Sequence, residues 1–284
     1  MGSLAKIRAM RDSMSNHERR IADFLLDKVE TVRTHSSKSL AEMVGVSQSS
    51  VVKFSQKLGY KGYSDFKLSL TESVARSTMM PQAAIHGDIA FDDDLATVAQ
   101  KLISRKNLAL SETVMANSEE ALMQSAQALR GAKRILLFGV GASSLVARDL
   151  AYKLMKLGRS VLIEGDTHVQ VANAATLGPG DLIFAISESG LTREVIRVAE
   201  TGAAQGAEVL SLTRFTRNPL TELSTYRLYC VANEAEARSS SILARTAQLM
   251  VTDLLFILTS QKDDKANELF ERSRKAVEVL RGRG

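Results

Sequence analysis

Hydrophobic and polar positions follow two different periods along this chain. Residues 16–30 carry apolar side chains at three- and four-residue spacing, with Ile21, Leu25 and Val29 on one stripe, and the spacing recurs in 95–116 and 119–132. From residue 133 onward, short apolar runs alternate with amphipathic segments. The first pattern predicts amphipathic helices, and the second predicts a parallel sheet covered by helices on both faces.

The second part of the chain therefore predicts an αβα architecture. Its predicted strands are RILLF (134–138), SVLIE (160–164), DLIFAIS (181–187), AEVLSL (207–212) and YRLYCV (226–231), separated by helices at 143–158, 168–178 and 191–206. Before this part, residues 78–94 contain a proline, a glycine and an acidic run without helical period, which indicates a linker. The predicted organisation is an all-α domain at 1–77, a linker at 78–94 and an α/β domain with leading helices at 95–284.

Residues 37–58 have the pattern of two short helices joined by a tight turn. Ser37 or Ser39 caps a helix that ends near Val44, Gly45 supplies the turn, and Ser47 caps a second helix that runs to about residue 58. This pattern predicts a helix-turn-helix. A small helical bundle whose serines only cap helices is the alternative.

In a helix-turn-helix, the N-terminal half of the second helix faces the DNA groove. Gln48, Ser49, Ser50 and Lys53 occupy that half here, and Lys57 follows one turn later. Gln and Ser side chains contact base edges, whereas lysine side chains bind phosphates. The nearby aromatic residues, which base stacking would also suit, are predicted to be core because of their spacing: Phe54, Tyr60, Tyr63 and Phe66.

Charge and cysteine content restrict the class of protein. Residues 1–80 hold 13 Lys and Arg against 8 Asp and Glu, and the remaining residues hold 24 of each, so the excess of +5 lies in the first segment. A local positive surface weakly favours nucleic acid. A single cysteine, Cys230, predicts buried packing and a cytoplasmic protein without disulfides or structural zinc. The most apolar stretch, 249–258, carries Asp253, which predicts no membrane span.

Two predicted strand-to-helix loops carry the candidate chemistry. The first reads GVGASS, with Gly139, Gly141, Ser143 and Ser144 ahead of a helix. It resembles a dinucleotide fingerprint, with an acid at Glu164 or Asp166 after the next strand, but Ser144 stands where the third glycine belongs. The second loop, in AISESGLT (185–192), provides hydroxyls instead.

The second loop holds Ser187, Ser189, Gly190 and Thr192 directly after an apolar strand. Parallel strands bind ligands at their carboxyl ends, and several hydroxyls with helix N-terminal amides suit one terminal phosphate, such as that of a sugar phosphate. The alternative is that these serines only cap helices and bind no ligand. Glu188 is expected to turn towards solvent, where Arg193 balances its charge.

The pairing of GxGxS with SxSGxT in an αβα sheet resembles the SIS, or sugar isomerase, domain. Its position behind a helix-turn-helix resembles the RpiR family of bacterial transcription regulators. This resemblance implies a five-stranded parallel sheet, a domain that dimerises, and no cofactor or metal. It also implies a phosphate site formed by Ser143, Ser187, Ser189 and Thr192 with the glycines Gly141 and Gly190.

Within the family, residues 47–59, 147–158, 166–170 and 237–256 are most similar to repressors that respond to N-acetylmuramic acid 6-phosphate. The resemblance therefore implies a non-enzymatic repressor that binds a palindromic operator as a homodimer or homotetramer. His168 is then expected to face the sugar and Arg238 to pair with its lactyl carboxylate. The alternatives are a phosphosugar isomerase or etherase with Glu234 or Glu236 as base, and a dimerisation scaffold without ligand.

Overall fold

The computed structural model describes residues 3–11, 14–28, 35–77, 84–86, 88–232, 241–263 and 265–280. The chain divides into two compact units, one ending at Lys101 and one beginning at Leu102. Each unit has its own buried apolar core.

The first unit is mainly helical. Its helices are α1 (Ser3–Met10), α2 (Asn16–Asp27), α3 (Ser37–Val44), α4 (Gln48–Lys57) and α5 (Tyr63–Ser77), followed by an antiparallel pair, β1 (Ala84–His86) and β2 (Ile89–Ala90), and by the start of α6 (Leu95–Met115). The β pair lies within the predicted linker, where the sequence shows no period that would have predicted it.

Helices α3 and α4 form the predicted helix-turn-helix. Ser47 caps α4 as expected, but α3 is capped by Ser36, whose Oγ accepts from the Ser39 amide at 3.2 Å, rather than by Ser37 or Ser39. Gly45 has φ +71°, and a Cβ there would lie 2.9 Å from Nη2 of Arg20. That nitrogen donates to the Val44 carbonyl at 2.7 Å, so α2 caps the end of α3.

Aromatic and aliphatic side chains fill the core of the first unit. Ile21 and Leu25 are fully buried, which confirms the predicted stripe at these positions, while Val29 lies outside the described residues. The Phe66 ring contacts the rings of Phe54, Tyr60 and Tyr63. Phe54, Tyr63 and Phe66 are buried and Tyr60 packs partly buried against them, which confirms that these aromatic residues belong to the core.

The second unit contains a five-stranded, wholly parallel sheet, which confirms the predicted fold class. Its strands are β3 (Ile135–Gly139), β4 (Val161–Leu162), β5 (Leu182–Ile186), β6 (Glu208–Arg214) and β7 (Tyr226–Cys230), in the order β4-β3-β5-β6-β7. The helices of this unit after α6 are α7 (Glu119–Gly131), α8 (Ala142–Lys156), α9 (Thr167–Ala174), α10 (Arg193–Ala203), α11 (Pro219–Glu222), α12 (Ile242–Gln261) and α13 (Ala266–Leu280).

Helices cover both faces of the sheet because alternate strand residues point to opposite sides. Ile135 and Leu137 pack with α7, α8 and α12, whereas Leu136 and Phe138 pack with α9, α10 and α11. From β3 the chain passes to β4, which lies on one side of β3, and then to β5, which lies on the other side of β3. The carboxyl ends of β3 and β5 therefore border the crevice where such sheets bind ligands.

Of the last two helices, α12 lies in the core of the second unit and α13 packs against that core along one side. Among the described residues, α12 alone is long and apolar enough to cross a membrane, but its buried side chains, including Val251 and Leu255, pack into the core beside the sheet. The final helix, α13, is rich in charged residues. It packs through Ala266, which is buried, and through Phe270, whose ring lies 5.9 Å from that of Phe256.

Candidate functional site

The loop between β5 and α10 holds its hydroxyl groups in a fixed arrangement. Ser187 Oγ accepts from the Gly190 amide at 3.1 Å and lies 2.9 Å from Thr192 Oγ1, while Ser189 Oγ accepts from the Leu191 amide at 3.1 Å. Each serine oxygen thus receives a backbone N–H, which leaves hydroxyl hydrogens to be donated elsewhere. In the described part of the chain, the Ser189 hydroxyl has no acceptor, so it can donate to an anion.

Gly190 fixes this loop against the following one. Its φ is +68°, and a Cβ at this position would lie 2.2 Å from Cγ of Asn218. Asn218 is buried, and its side chain is satisfied there because it caps α11 and donates through Nδ2 to Thr213 Oγ1 at 3.1 Å. Only glycine suits this position, both for its backbone conformation and for the space available.

The loop after β3 lies directly beside the hydroxyl loop. A Cβ on Gly139 would lie 2.8 Å from the Ser143 carbonyl oxygen and 3.0 Å from that of Ile186. The first turn of α8 therefore passes over the end of β3 next to the last residue of β5. Gly141 is the N-cap of α8, with φ +60° and no side-chain cap, so the amides at this helix end face the same crevice.

Ser143 differs from the prediction. Its hydroxyl donates to Oε1 of Gln248 at 3.2 Å and accepts from Nε2 at 3.1 Å, and both residues are buried. Because a hydroxyl has one hydrogen, the Ser143 side chain is committed to Gln248 in this conformation and is not free to donate to a phosphate. A buried glutamine in the apolar helix α12 is the signal that could have indicated this bond.

The acidic residue of the loop, Glu188, is neutralised from the adjacent strand rather than turned to solvent. Its Oε2 lies 3.2 Å from Nη2 of Arg214, and its carbonyl accepts the Arg214 amide at 2.8 Å. The prediction that Arg193 balances the Glu188 charge was therefore wrong.

The single cysteine, Cys230, is fully buried. Burial, followed by the nearby Glu188 charge, raises the pKa of the Cys230 thiol to about 12. Cys230 is thus a neutral core residue, as predicted.

The structure describes His168 but not Arg238. His168 is exposed in the first turn of α9, where its amide donates to the N-cap residue Asp166 at 2.7 Å. Asp166 is therefore a helix cap. Arg238, Glu234 and Glu236 lie outside the described residues, so their predicted roles stay predictions.

A cleft of about 120 Å³ opens on the other side of β3. Its walls are the glycine-rich loop, the first turns of α8 and the segment that follows β4. The residues that line it are Leu137, Phe138, Gly139, Val140, Gly141, Ser144, Ala147, Arg148, Ile163, Glu164, Gly165 and Thr167. In the sequence, Glu164 stands out only as the acid of a dinucleotide-like pattern, and Arg148 lies in the family-like segment 147–158 without a predicted role of its own.

In the first unit, the residues predicted to contact DNA differ in whether their side chains already have partners within the protein. Lys53 is exposed, and the Ser47 hydroxyl lies 2.8 Å from those of Ser49 and Ser50. Gln48 donates to Ser37 Oγ at 2.9 Å, across the turn. Lys57, by contrast, lies 2.7 Å from the Glu18 carboxylate, so its charge is partly satisfied within the protein and its assignment to a DNA phosphate is weakened.

Comparison with known proteins places both units in described families. Residues 1–77 match the helix-turn-helix domain of the rpiR family, and residues 128–258 match the SIS domain. An HTH-type transcriptional regulator of Escherichia coli K12, YfhH, is 42% identical over 281 residues, covering 99% of this chain and 100% of that protein. The chain therefore belongs to the RpiR family of HTH-type transcriptional regulators with an SIS domain.

Solved structures extend this similarity. The Vibrio vulnificus NanR protein, complexed with ManNAc-6P, has a TM-score of 0.63 and 26% identity, with 98% of each chain covered. The sugar isomerase domain of an RpiR transcription factor from Sphaerobacter thermophilus has a TM-score of 0.56 and 20% identity, covering 63% of this chain and 98% of that one. The second similarity concerns the fold alone.

Proposed function

We propose that this protein is a cytoplasmic repressor of a sugar or amino-sugar catabolic operon, released from its operator by a phosphosugar. The loop 187–192 carries this proposal, since Ser187, Ser189 and Thr192 form a fixed group of hydroxyls at the crevice between β3 and β5. NanR, the similar regulator of known structure, was solved with a phosphosugar. The segments that are similar to repressors responding to N-acetylmuramic acid 6-phosphate favour that sugar phosphate as the effector.

In this proposal the phosphate receives hydroxyl hydrogens from the loop and amide hydrogens from the first turn of α8. Ser143 contributes through its backbone, because its hydroxyl is bonded to Gln248. The Glu188 charge does not repel the phosphate strongly, since Arg214 offsets it. Gly141 and Gly190 keep the two loops close to the ligand.

The DNA contacts are assigned to α4, where Lys53 binds a phosphate and Gln48, Ser49 and Ser50 lie near base edges. A palindromic operator requires a symmetric oligomer, a homodimer or homotetramer. The exposed face of α8 supports such an assembly: Leu145, Tyr152 and Met155 recur at helical spacing with exposures of 55%, 58% and 45%. A second copy would bury this stripe.

A non-enzymatic role fits the hydroxyl loop better than catalysis. Isomerisation needs a general base, and Glu188 of the hydroxyl loop is paired with Arg214, whereas a sensor attached to a helix-turn-helix needs only to bind its ligand more tightly in one of two states. We therefore expect binding without turnover. Incubation of the purified chain with N-acetylmuramic acid 6-phosphate, followed by product analysis, tests this expectation, and conversion of the sugar at enzymatic rates would contradict it.

The repressor proposal is tested by a gel-shift titration with operator DNA and phosphosugars. The double variant Ser187→Ala/Ser189→Ala is expected to bind DNA like the wild type but to stay bound when the effector is added. The matched control is Thr201→Ala, which removes a hydroxyl that donates to the Arg197 carbonyl at 2.7 Å near the C-terminal end of α10. Effector release that is unchanged in the double variant would overturn the proposed site.

A further inference from the structure

The cleft beside β3 is lined by two side chains of opposite charge, Arg148 and Glu164. Arg148 and Glu164 both line it and are exposed, and neither has an ion pair or side-chain hydrogen bond within the described residues. Nη2 of Arg148 reaches to 3.9 Å from the position a Cβ on Gly165 would occupy. The guanidinium therefore extends across the cleft towards the segment that carries Glu164.

The remaining walls of the cleft are apolar or lack side chains. Ala147 and Ile163 provide aliphatic surface, and Gly139, Gly141 and Gly165 leave room for a ligand to approach the backbone. A ligand group that fits would combine a small apolar end, an acceptor for arginine and a donor for glutamate. Because the two charges cancel, the group should carry no net charge.

An acetamido substituent has these three features. Its carbonyl oxygen accepts from a guanidinium, its N–H donates to a carboxylate, and its methyl group packs against aliphatic carbon. A free ammonium or a lone carboxylate would instead be repelled by Arg148 or Glu164 respectively. A plain hydroxyl would leave the aliphatic wall without a partner.

The position of the cleft relates it to the proposed phosphate site. The hydroxyl loop follows β5 on one side of β3, and the cleft lies towards β4 on the other. Neighbouring strands are about 4.8 Å apart, so one sugar ring suffices to pass over the end of β3 from one crevice to the other. The glycines of the loop after β3 lie beneath that path.

We propose that Arg148 and Glu164 determine specificity for the N-acetyl group of an acetamido sugar phosphate. This rests on the proposed function, because the phosphate must first be held by the hydroxyl loop. These two residues would then explain why an N-acetylated amino-sugar phosphate, of which N-acetylmuramic acid 6-phosphate is one member, is preferred to a plain hexose phosphate. Arg148 donates to the amide carbonyl and Glu164 accepts from the amide N–H.

The test uses the full chain and isothermal titration with two matched pairs of ligands. These pairs are N-acetylglucosamine 6-phosphate with glucose 6-phosphate, and N-acetylmannosamine 6-phosphate with mannose 6-phosphate. The wild type should bind the acetylated member of at least one pair about 10-fold more tightly, as expected from hydrogen bonds to charged groups. Arg148→Met should lose most of that preference while its affinity for the plain hexose phosphate stays within about 2-fold.

Two further variants separate recognition from folding. Glu164→Ala should also reduce the preference, whereas Lys156→Met, an exposed cation two turns further along α8, should retain it. Equal affinities within both pairs for the wild type, or an unchanged preference in Arg148→Met, would overturn the proposal. If neither these four ligands nor N-acetylmuramic acid 6-phosphate binds the wild type, or if Ser187→Ala/Ser189→Ala binds hexose phosphate normally, the phosphosugar function itself fails.

Discussion

Ser143 and Gln248 exchange two hydrogen bonds across 105 residues of chain, at 3.2 and 3.1 Å. This pair joins the first turn of α8 to the middle of α12, inside the core beside the sheet. Ser143 lies in a ligand-binding motif, but its hydroxyl stabilises the fold instead of binding a ligand. Its contribution to the free energy of unfolding can be measured.

Ser143→Ala should lower stability by about 1–3 kcal/mol, because the Gln248 carboxamide is left buried without its partner. The measurement is the apparent melting temperature of the full chain by calorimetry. Ser143→Ala/Gln248→Leu should recover part of the loss, since no unsatisfied polar group remains. A double variant less stable than the single one would contradict the assigned role.

Gly190→Ala should destabilise the loop by more than about 2 kcal/mol, because the methyl group meets Asn218 and the backbone has a positive φ. Ligand response should be lost with it. In Gly190→Ala/Asn218→Ala the steric conflict disappears but the conformational cost remains. Hydrogen exchange of the loop amides in the two variants separates the steric contribution from the conformational one. Wild-type protection of these amides in Gly190→Ala would argue against the close contact with Asn218.

Lys53→Met and Lys57→Met should differ in DNA binding. Lys53 is exposed, so its loss should weaken operator binding and reduce the slope of log affinity against log salt by about 0.9. Lys57 is paired with Glu18 at 2.7 Å, so its loss should change that slope less. Fluorescence anisotropy over a salt series measures both slopes. A larger change for Lys57 would reverse the assignment.

Acid stability depends in part on Asp181. Its side chain is 5% exposed and accepts from Arg134, with N–O distances of 2.5 and 3.1 Å. The bond from Arg134 lowers the pKa of Asp181, and this outweighs the opposing effect of burial. A depressed pKa in the folded state gives stability that is present above the ordinary value of 3.8 and is lost as the pH falls through the folded value.

Asp181→Asn should therefore be less stable than the wild type at neutral pH, by about 1–2 kcal/mol, with the difference shrinking below about pH 4. Thermal unfolding between pH 2.5 and 7 measures this. Asp92→Asn, at an exposed aspartate of the first unit, serves as the control. A difference that is constant with pH would show that the effect is not electrostatic.

The apolar stripe on α8 should mediate self-association. Tyr152→Lys places a charge in its centre and should raise the dimer dissociation constant at least about 10-fold, since a buried unpaired charge is costly. Analytical ultracentrifugation measures this. Leu68→Lys, a change at an exposed leucine of α5, is the matched control. Dimers of wild-type strength in Tyr152→Lys would assign the interface elsewhere.

The sequence by itself determined the local structure of this protein. Helix periods, cap serines and Gly45 predicted the helix-turn-helix, and the alternation of apolar runs predicted the parallel sheet, because these signals act between residues a few positions apart. The hydroxyl loop was found in the same way, since its serines and glycine lie within six consecutive residues. The exception was Ser36, one position before the expected cap.

The tertiary structure alone decided how distant side chains are paired. The Ser143 hydroxyl is hydrogen-bonded to Gln248. Glu188 is paired with Arg214 and not with Arg193, and Lys57 is paired with Glu18. The order β4-β3-β5 places Arg148 and Glu164 at one cleft and the hydroxyl loop at the neighbouring crevice. No local pattern encodes such pairs, because they depend on which strands become neighbours and on how helices pack across the sheet.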